Sequence, residues 1–124
     1  MVDDNPGDIR FVEEAFSASQ LAPAIHSVKT REEALAFIHR RGEYEDSPEL
    51  DVVLLDWNLS QTTSGEVLSA LQSARPETPV VVMTGTKSEI NGAKSELPQV
   101  DRYIEKPTVP QRYVDVLKPY LTER

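Results

Sequence analysis

Five residues with reactive or ligating side chains stand where an apolar or strand-like run has just ended. Asp3 and Asp4 follow Met1-Val2, and Asp56 follows Val52-Val53-Leu54-Leu55. Thr84 follows Pro79-Val80-Val81-Val82-Met83, and Lys106 follows Arg102-Tyr103-Ile104-Glu105. If those runs are parallel strands of one sheet, all five side chains converge on its C-terminal edge, where open α/β folds place their ligands. Three carboxylates in one pocket repel and raise the pKa of at least one of them, unless a divalent cation sits among them. Mg²⁺ suits such a donor set, because it takes hard oxygens, needs only one or two carboxylates and keeps several waters. A lysine opposite would balance the charge of an incoming phosphoryl group. Singly, each residue has a plainer reading as a strand-end carboxylate, a solvated terminal acid, a strand-end hydroxyl or a surface lysine. Their order along the chain is what favours a site.

The elements that must position these residues are legible in the hydrophobic pattern. Val52 to Leu55 and Val80 to Met83 are short, continuous and β-branched, the mark of strands buried on both faces. Ala24-Ile25-His26-Ser27-Val28 and Arg102 to Glu105 are shorter strand candidates. Ile9, Val12 and Phe16 predict a helix after the turn-forming Asp3-Asp4-Asn5-Pro6-Gly7-Asp8. Thr30 and Glu33 form a capping box for a helix that buries Ala34, Leu35 and Ile38 and that Gly42 ends from its C′ position. Val67, Leu68 and Leu71 mark another helix, with Ser64 as its cap and Pro76 beyond its end. Ser88 to about Leu97 is a helix weakened by Gly92 and stopped by Pro98. The last helix runs from about Val109, with Val109, Tyr113, Val116, Leu117 and Tyr120 inward and Pro119 limiting its end. Strands alternating with helices through short links imply a doubly wound parallel sheet with right-handed crossovers.

Composition narrows the rest. A chain of 124 residues fits one domain, 1–124, and a second folded unit does not fit. No apolar run is long enough to span a membrane and no signal peptide is evident, so the cytoplasm is the expected compartment. Cysteine is absent, which removes disulfides, thiolate metal sites and a cysteine nucleophile. With 21 acids against 13 bases and a net charge of -8, direct nucleic-acid binding is not expected. The same imbalance is compatible with adaptation to high salt. His26 and His39 show no metal spacing.

With Asp3-Asp4, Val52-Val53-Leu54-Leu55-Asp56-Trp57-Asn58-Leu59, Val81-Val82-Met83-Thr84-Gly85-Thr86 and Tyr103-Ile104-Glu105-Lys106-Pro107 in this order, the chain resembles the receiver domain of two-component response regulators over Met1 to Leu121. Asp56 lies 28 residues before Thr84, and Thr84 lies 22 before Lys106, close to that family's spacing. The Asp-Asn-Pro-Gly-Asp opening and the long acidic loop from Glu43 to Glu49 look most like small stand-alone receivers associated with phytochrome-type kinases. The resemblance implies a flavodoxin-like sheet of strand order 2-1-3-4-5 and a phosphorelay role rather than a turnover enzyme. Asp56 would accept a phosphoryl group from a sensor histidine kinase. Asp4, Asp56 and the main-chain carbonyl of Asn58 would hold Mg²⁺ directly, with Asp3 acting through water. Lys106 would pair with the phosphoryl oxygens, its bond to Pro107 being cis, and Gly85 would leave room for the group. Thr84 and Tyr103 would move together as the switch. No output domain is expected. A downstream protein would dock on the face made by the helix at 88–97, the strand at 102–105 and the last helix.

Three departures bear on that expectation. A receiver's first strand is central and about five residues long, whereas here only Met1 and Val2 precede the acidic pair. Its loss would open a gap of about 9.6 Å between the strand at 24–28 and the Asp56 strand, so natural residues are expected before Met1. Gln99-Val100 replaces a common Gly-Ala pair, and Pro98 shortens the docking helix. Two competing functions carry their own tests. A phosphatase of the haloacid-dehalogenase type also uses a strand-end Asp but wants a second Asp where Asn58 stands. An adaptor that keeps the fold without taking up phosphate would have no need of Thr84 and Lys106.

Overall fold

The computed structural model describes residues 1–19, 21, 23–42, 45–46, 50–57, 61–85, 100 and 102–122. Its elements are α1 (Pro6–Ser17), α2 (Arg31–Ile38), β1 (Val53–Asp56), α3 (Gln61–Ala74), β2 (Val80–Thr84), β3 (Arg102–Glu105) and α4 (Pro110–Thr122). The helix expected at 88–97, the Gln99 position and most of the acidic loop at 43–49 lie outside the described residues. β1, β2 and β3 form a parallel sheet in that order, with Val53 opposite Val80 and Val81 opposite Arg102.

Because successive strand side chains point to opposite faces, a run of apolar residues serves two cores at once. Val53, Leu55, Val80 and Val82 pack with Ala34 and Ile38 of α2 and with Val67, Leu68 and Leu71 of α3. Leu54, Val81 and Met83 pack with Val12, Ala15 and Phe16 of α1 and with Tyr113, Val114, Val116 and Leu117 of α4. The sheet is therefore covered on both sides, as its unbroken apolar strands require.

The opening of the chain fills the slot that the short first strand was expected to leave. Val2 makes parallel bridges to Val28 on one side and Leu55 on the other. Val2 N donates to Leu54 O at 2.8 Å, Asp56 N to Val2 O at 2.9 Å, Val28 N to Met1 O at 3.0 Å and Asp3 N to Val28 O at 3.1 Å. Three residues thus bind both flanking segments at the level of the site, and neither the Val28 segment nor β1 loses its ladder there. The strand expected at Ala24–Val28 shrinks to the bridge at Val28.

Several element ends differ from expectation for local reasons. Thr30 caps α2 as anticipated, accepting from Glu33 N at 3.1 Å, while its hydroxyl donates to Glu33 Oε1 at 3.2 Å. α2 stops at Ile38, before Gly42, because Arg40 takes the left-handed position at φ 53°. Arg40 N then bonds Phe37 O at 3.2 Å and Arg41 N bonds Ala36 O at 2.8 Å, closing a Schellman turn. The Arg75 guanidinium adds a clamp, donating to Phe37 O and Ile38 O at 3.2 and 3.3 Å from the far end of α3. α3 begins at Gln61, which makes Ser64 part of its first turn rather than its cap. Val109 is 58 % exposed, because Pro110 opens α4 and leaves Val109 ahead of it. α4 continues through Pro119 to Thr122; the exposed ring removes the amide that position 119 would otherwise offer to the carbonyl of Asp115.

Candidate functional site

The C-terminal ends of the strands lie level because the register carries them there. Asp56 pairs with Met83 and Thr84 with Glu105. The ladder continues one step further, with Trp57 N donating to Met83 O at 2.9 Å and Lys106 N to Thr84 O at 2.7 Å. Val2, locked between Val28 and Leu55, places Asp3 beside Asp56. Among the described residues, Asp3, Asp56 and Thr84 are the buried polar ones, all at this edge.

A third carboxylate joins them from the turn-forming stretch Asp3 to Asp8. Asn5 caps α1, its side chain accepting from Gly7 N at 2.8 Å and Asp8 N at 3.4 Å, and this fixes the first turn so that Asp8 leans over the edge. One oxygen each from Asp3, Asp8 and Asp56 lies within 4.8 Å of the others. Asp4 is exposed and the structure does not bring it into this group. The signal for Asp8 was present, since an acid in the first turn of a helix starting at a sheet's C-terminal edge faces the same crevice. Asn58 lies outside the described residues.

Lys106 enters from the opposite side. Its Nζ donates to Asp8 Oδ2 at 2.5 Å and to Asp56 Oδ2 at 3.2 Å, and it stands 3.8 Å from Asp3 Oδ2. Burial alone would lower this ammonium's pKa, but the bond to Asp8 and the charges of Asp56 and Asp3 outweigh it and hold the pKa above the usual lysine range. Its peptide bond to Pro107 is trans, as are all bonds among the described residues, which corrects the cis expectation. The extended side chain reaches the carboxylates from that trans backbone.

Asp3 is the strained member of the group. Its Oδ1 accepts from Asn5 N at 2.8 Å, but its buried Oδ2 has no hydrogen-bond partner. Burial first, then the charges of Asp56 and Asp8, push its pKa up to about 7 against the opposing pull of the Asn5 amide and Lys106. An orphaned, buried carboxylate oxygen facing two further carboxylates is a place for a hard cation, so the residues present fit Mg²⁺.

The remaining expected residues take the following positions. Thr84 is fully buried at the end of β2, and Gly85 is exposed beyond it. Tyr103 is half-buried and packs against the core on the α2 and α3 side; burial raises its phenol pKa. Tyr113, expected only to face inward, lies close enough to the site to feel its charges. Burial and the neighbouring Asp8 push its phenol up to about 12.

Comparison with known proteins gives one consistent result. The family model described as response regulator receiver domain matches residues 1–118. The chain is 32 % identical over 109 residues to the response regulator Rcp1 of Synechocystis sp., covering 86 % of this chain and 74 % of that protein. It superposes on the crystal structure of the phosphorylated cyanobacterial phytochrome response regulator RcpA with a TM-score of 0.84 at 29 % identity, covering 99 % of this chain and 92 % of the other. The Mn²⁺-bound form of Rcp1 gives 0.82 at 27 % identity, covering 99 % and 93 %. The fold is accordingly flavodoxin-like, a parallel sheet between two layers of helices.

Proposed function

This chain belongs to the response regulator receiver domain family, and on that premise we propose that it is a phosphorylatable signalling module whose acceptor is Asp56. The observation that carries the reading is the three-carboxylate group around Asp56 with Lys106 in contact. Such an arrangement suits phosphoryl transfer, where positioning and charge neutralisation do nearly all the work.

In the proposed reaction an Asp56 carboxylate oxygen attacks phosphorus. One O–P bond forms, the P–N bond to the kinase histidine breaks, and the leaving imidazole keeps the electron pair and takes a proton. Two anions must approach each other for this. Lys106 supplies one positive charge to the phosphoryl oxygens, and its extra partners keep it protonated. Asp3 and Asp56 would hold Mg²⁺, with Asp8 in reach and the exposed Asp4 and the Asn58 carbonyl as the expected further donors of that edge. When bound, the cation screens the carboxylates from the incoming group and organises its oxygens. Gly85 leaves the approach open. Thr84 would turn its hydroxyl to a phosphoryl oxygen, and Tyr103 would follow it inward.

The reading names a sensor histidine kinase as donor, in keeping with the phytochrome response regulators the chain resembles, and the cytoplasm as its setting. A downstream protein would read the switch on the face built from β3, α4 and the helix expected at 88–97. The test is incubation with acetyl phosphate and Mg²⁺ followed by intact-protein mass spectrometry. One phosphoryl group gained by the wild type and none by Asp56→Asn is the expected result. No gain in folded wild-type protein would overturn the assignment.

A further inference from the structure

Lys106 donates to both Asp8 and Asp56, and Asp8 is the nearer partner. At 2.5 Å from Asp8 Oδ2, against 3.2 Å from Asp56 and 3.8 Å from Asp3, the ammonium is held on the α1 side of the crevice. Asp8 is itself held by the Asn5 cap, so this is not a long side chain wandering on a surface. A phosphoryl group on Asp56 presents three oxygens to the same ammonium. An ammonium has three protons, and a second carboxylate already holds one of them in a charge-assisted bond.

We propose that Asp8 is a positioning residue that shares the Lys106 ammonium with Asp56, so that Asp8 and the phosphoryl group on Asp56 compete for it. This rests on the receiver reading above. Taking up a phosphoryl group then includes breaking the Lys106–Asp8 pair. Asp8 thereby weakens the phosphorylated state and slows its formation. It also joins α1 to β3 through side chains in the unmodified protein alone.

The test reads beryllium fluoride, a tetrahedral phosphoryl mimic, binding at Asp56 through Trp57 fluorescence, with Mg²⁺ raised until the response no longer changes. The initial rate of mass gain from acetyl phosphate is the second readout. Asp8→Asn keeps the shape and the helix cap but removes the charge. It is expected to bind the mimic about fivefold more tightly and to gain mass faster by a similar factor, the size of one partly exposed ion pair. Asp8→Glu restores the carboxylate and is expected to return towards the wild-type values. In a Lys106→Ala background the Asp8→Asn gain should vanish, because the competition has lost its object.

A gain that persists without Lys106 would show that Asp8 acts only by general charge repulsion, and would overturn the competition. So would the absence of any gain in Asp8→Asn while the wild type is phosphorylated, an outcome that leaves the receiver reading standing. If the wild type neither binds the mimic nor gains mass, both proposals fall together.

Discussion

A buried carboxyl that lacks a hydrogen-bond partner for one oxygen favours keeping a proton or drawing a cation closer, and Asp3 is such a group. Its pKa stands near 7 in the folded chain against an ordinary 3.8, so the native state binds more protons than the unfolded state between those values. Without metal, this residue's stabilisation is full below about pH 4 and is lost as pH rises through 7. Urea unfolding in EDTA should show the wild type losing stability relative to Asp3→Asn across that window, and saturating Mg²⁺ should remove the trend. Lys106 gives a second expectation at this scale. Replacing it by Ala should slow mass gain from acetyl phosphate by about tenfold, the loss of one charge-assisted contact in the transition state. Of these residues, Asp56, Thr84, Lys106 and Asp3 stood out in the sequence because each follows an apolar run. Asp8 did not, because an acid beside Pro6-Gly7 reads first as turn chemistry, although its place in the first turn of α1 sets it over the same crevice.

Elements were legible where one local rule dominated. The doubly buried strands at 53–56 and 80–84, the capping box at Thr30 and the apolar spacing of α1 each reflect a single strong preference. The mismatches arose at element ends, where a neighbouring residue's local preference set the boundary. Val109 sits exposed because Pro110 begins α4, and Gly42 does not end α2 because Arg40 accepts the left-handed position ahead of it. An L-residue in that conformation costs about 1 kcal/mol relative to glycine. Arg40→Gly should therefore raise the urea midpoint, with a gain of about 1 kcal/mol at unchanged m-value. Arg75→Ala should act in the opposite direction by about 1 kcal/mol. It removes the donors from Phe37 O and Ile38 O and the stacking of its guanidinium 5.7 Å from the Phe37 ring centre.

At the scale of the whole molecule, a net charge of -8 on 124 residues works against compaction, and the site concentrates part of it by setting three carboxylates against one lysine. Raising NaCl from about 50 mM to about 1 M should increase Tm, because screening relieves repulsion among exposed acids more than it weakens buried contacts. No helix among the described residues is long and apolar enough to cross a membrane. The remaining global feature is the way Val2 ties the Val28 segment to β1 through single bridges. The peptide that makes this tie also delivers Asp3, so the seam of the architecture and the reaction centre share one backbone. If those first residues peel away, the pocket loses an acid in the same motion that parts the Val28 segment from β1. A copy that is frayed at its seam would thereby lack an intact carboxylate group, so assembly of the fold and assembly of the site are one event.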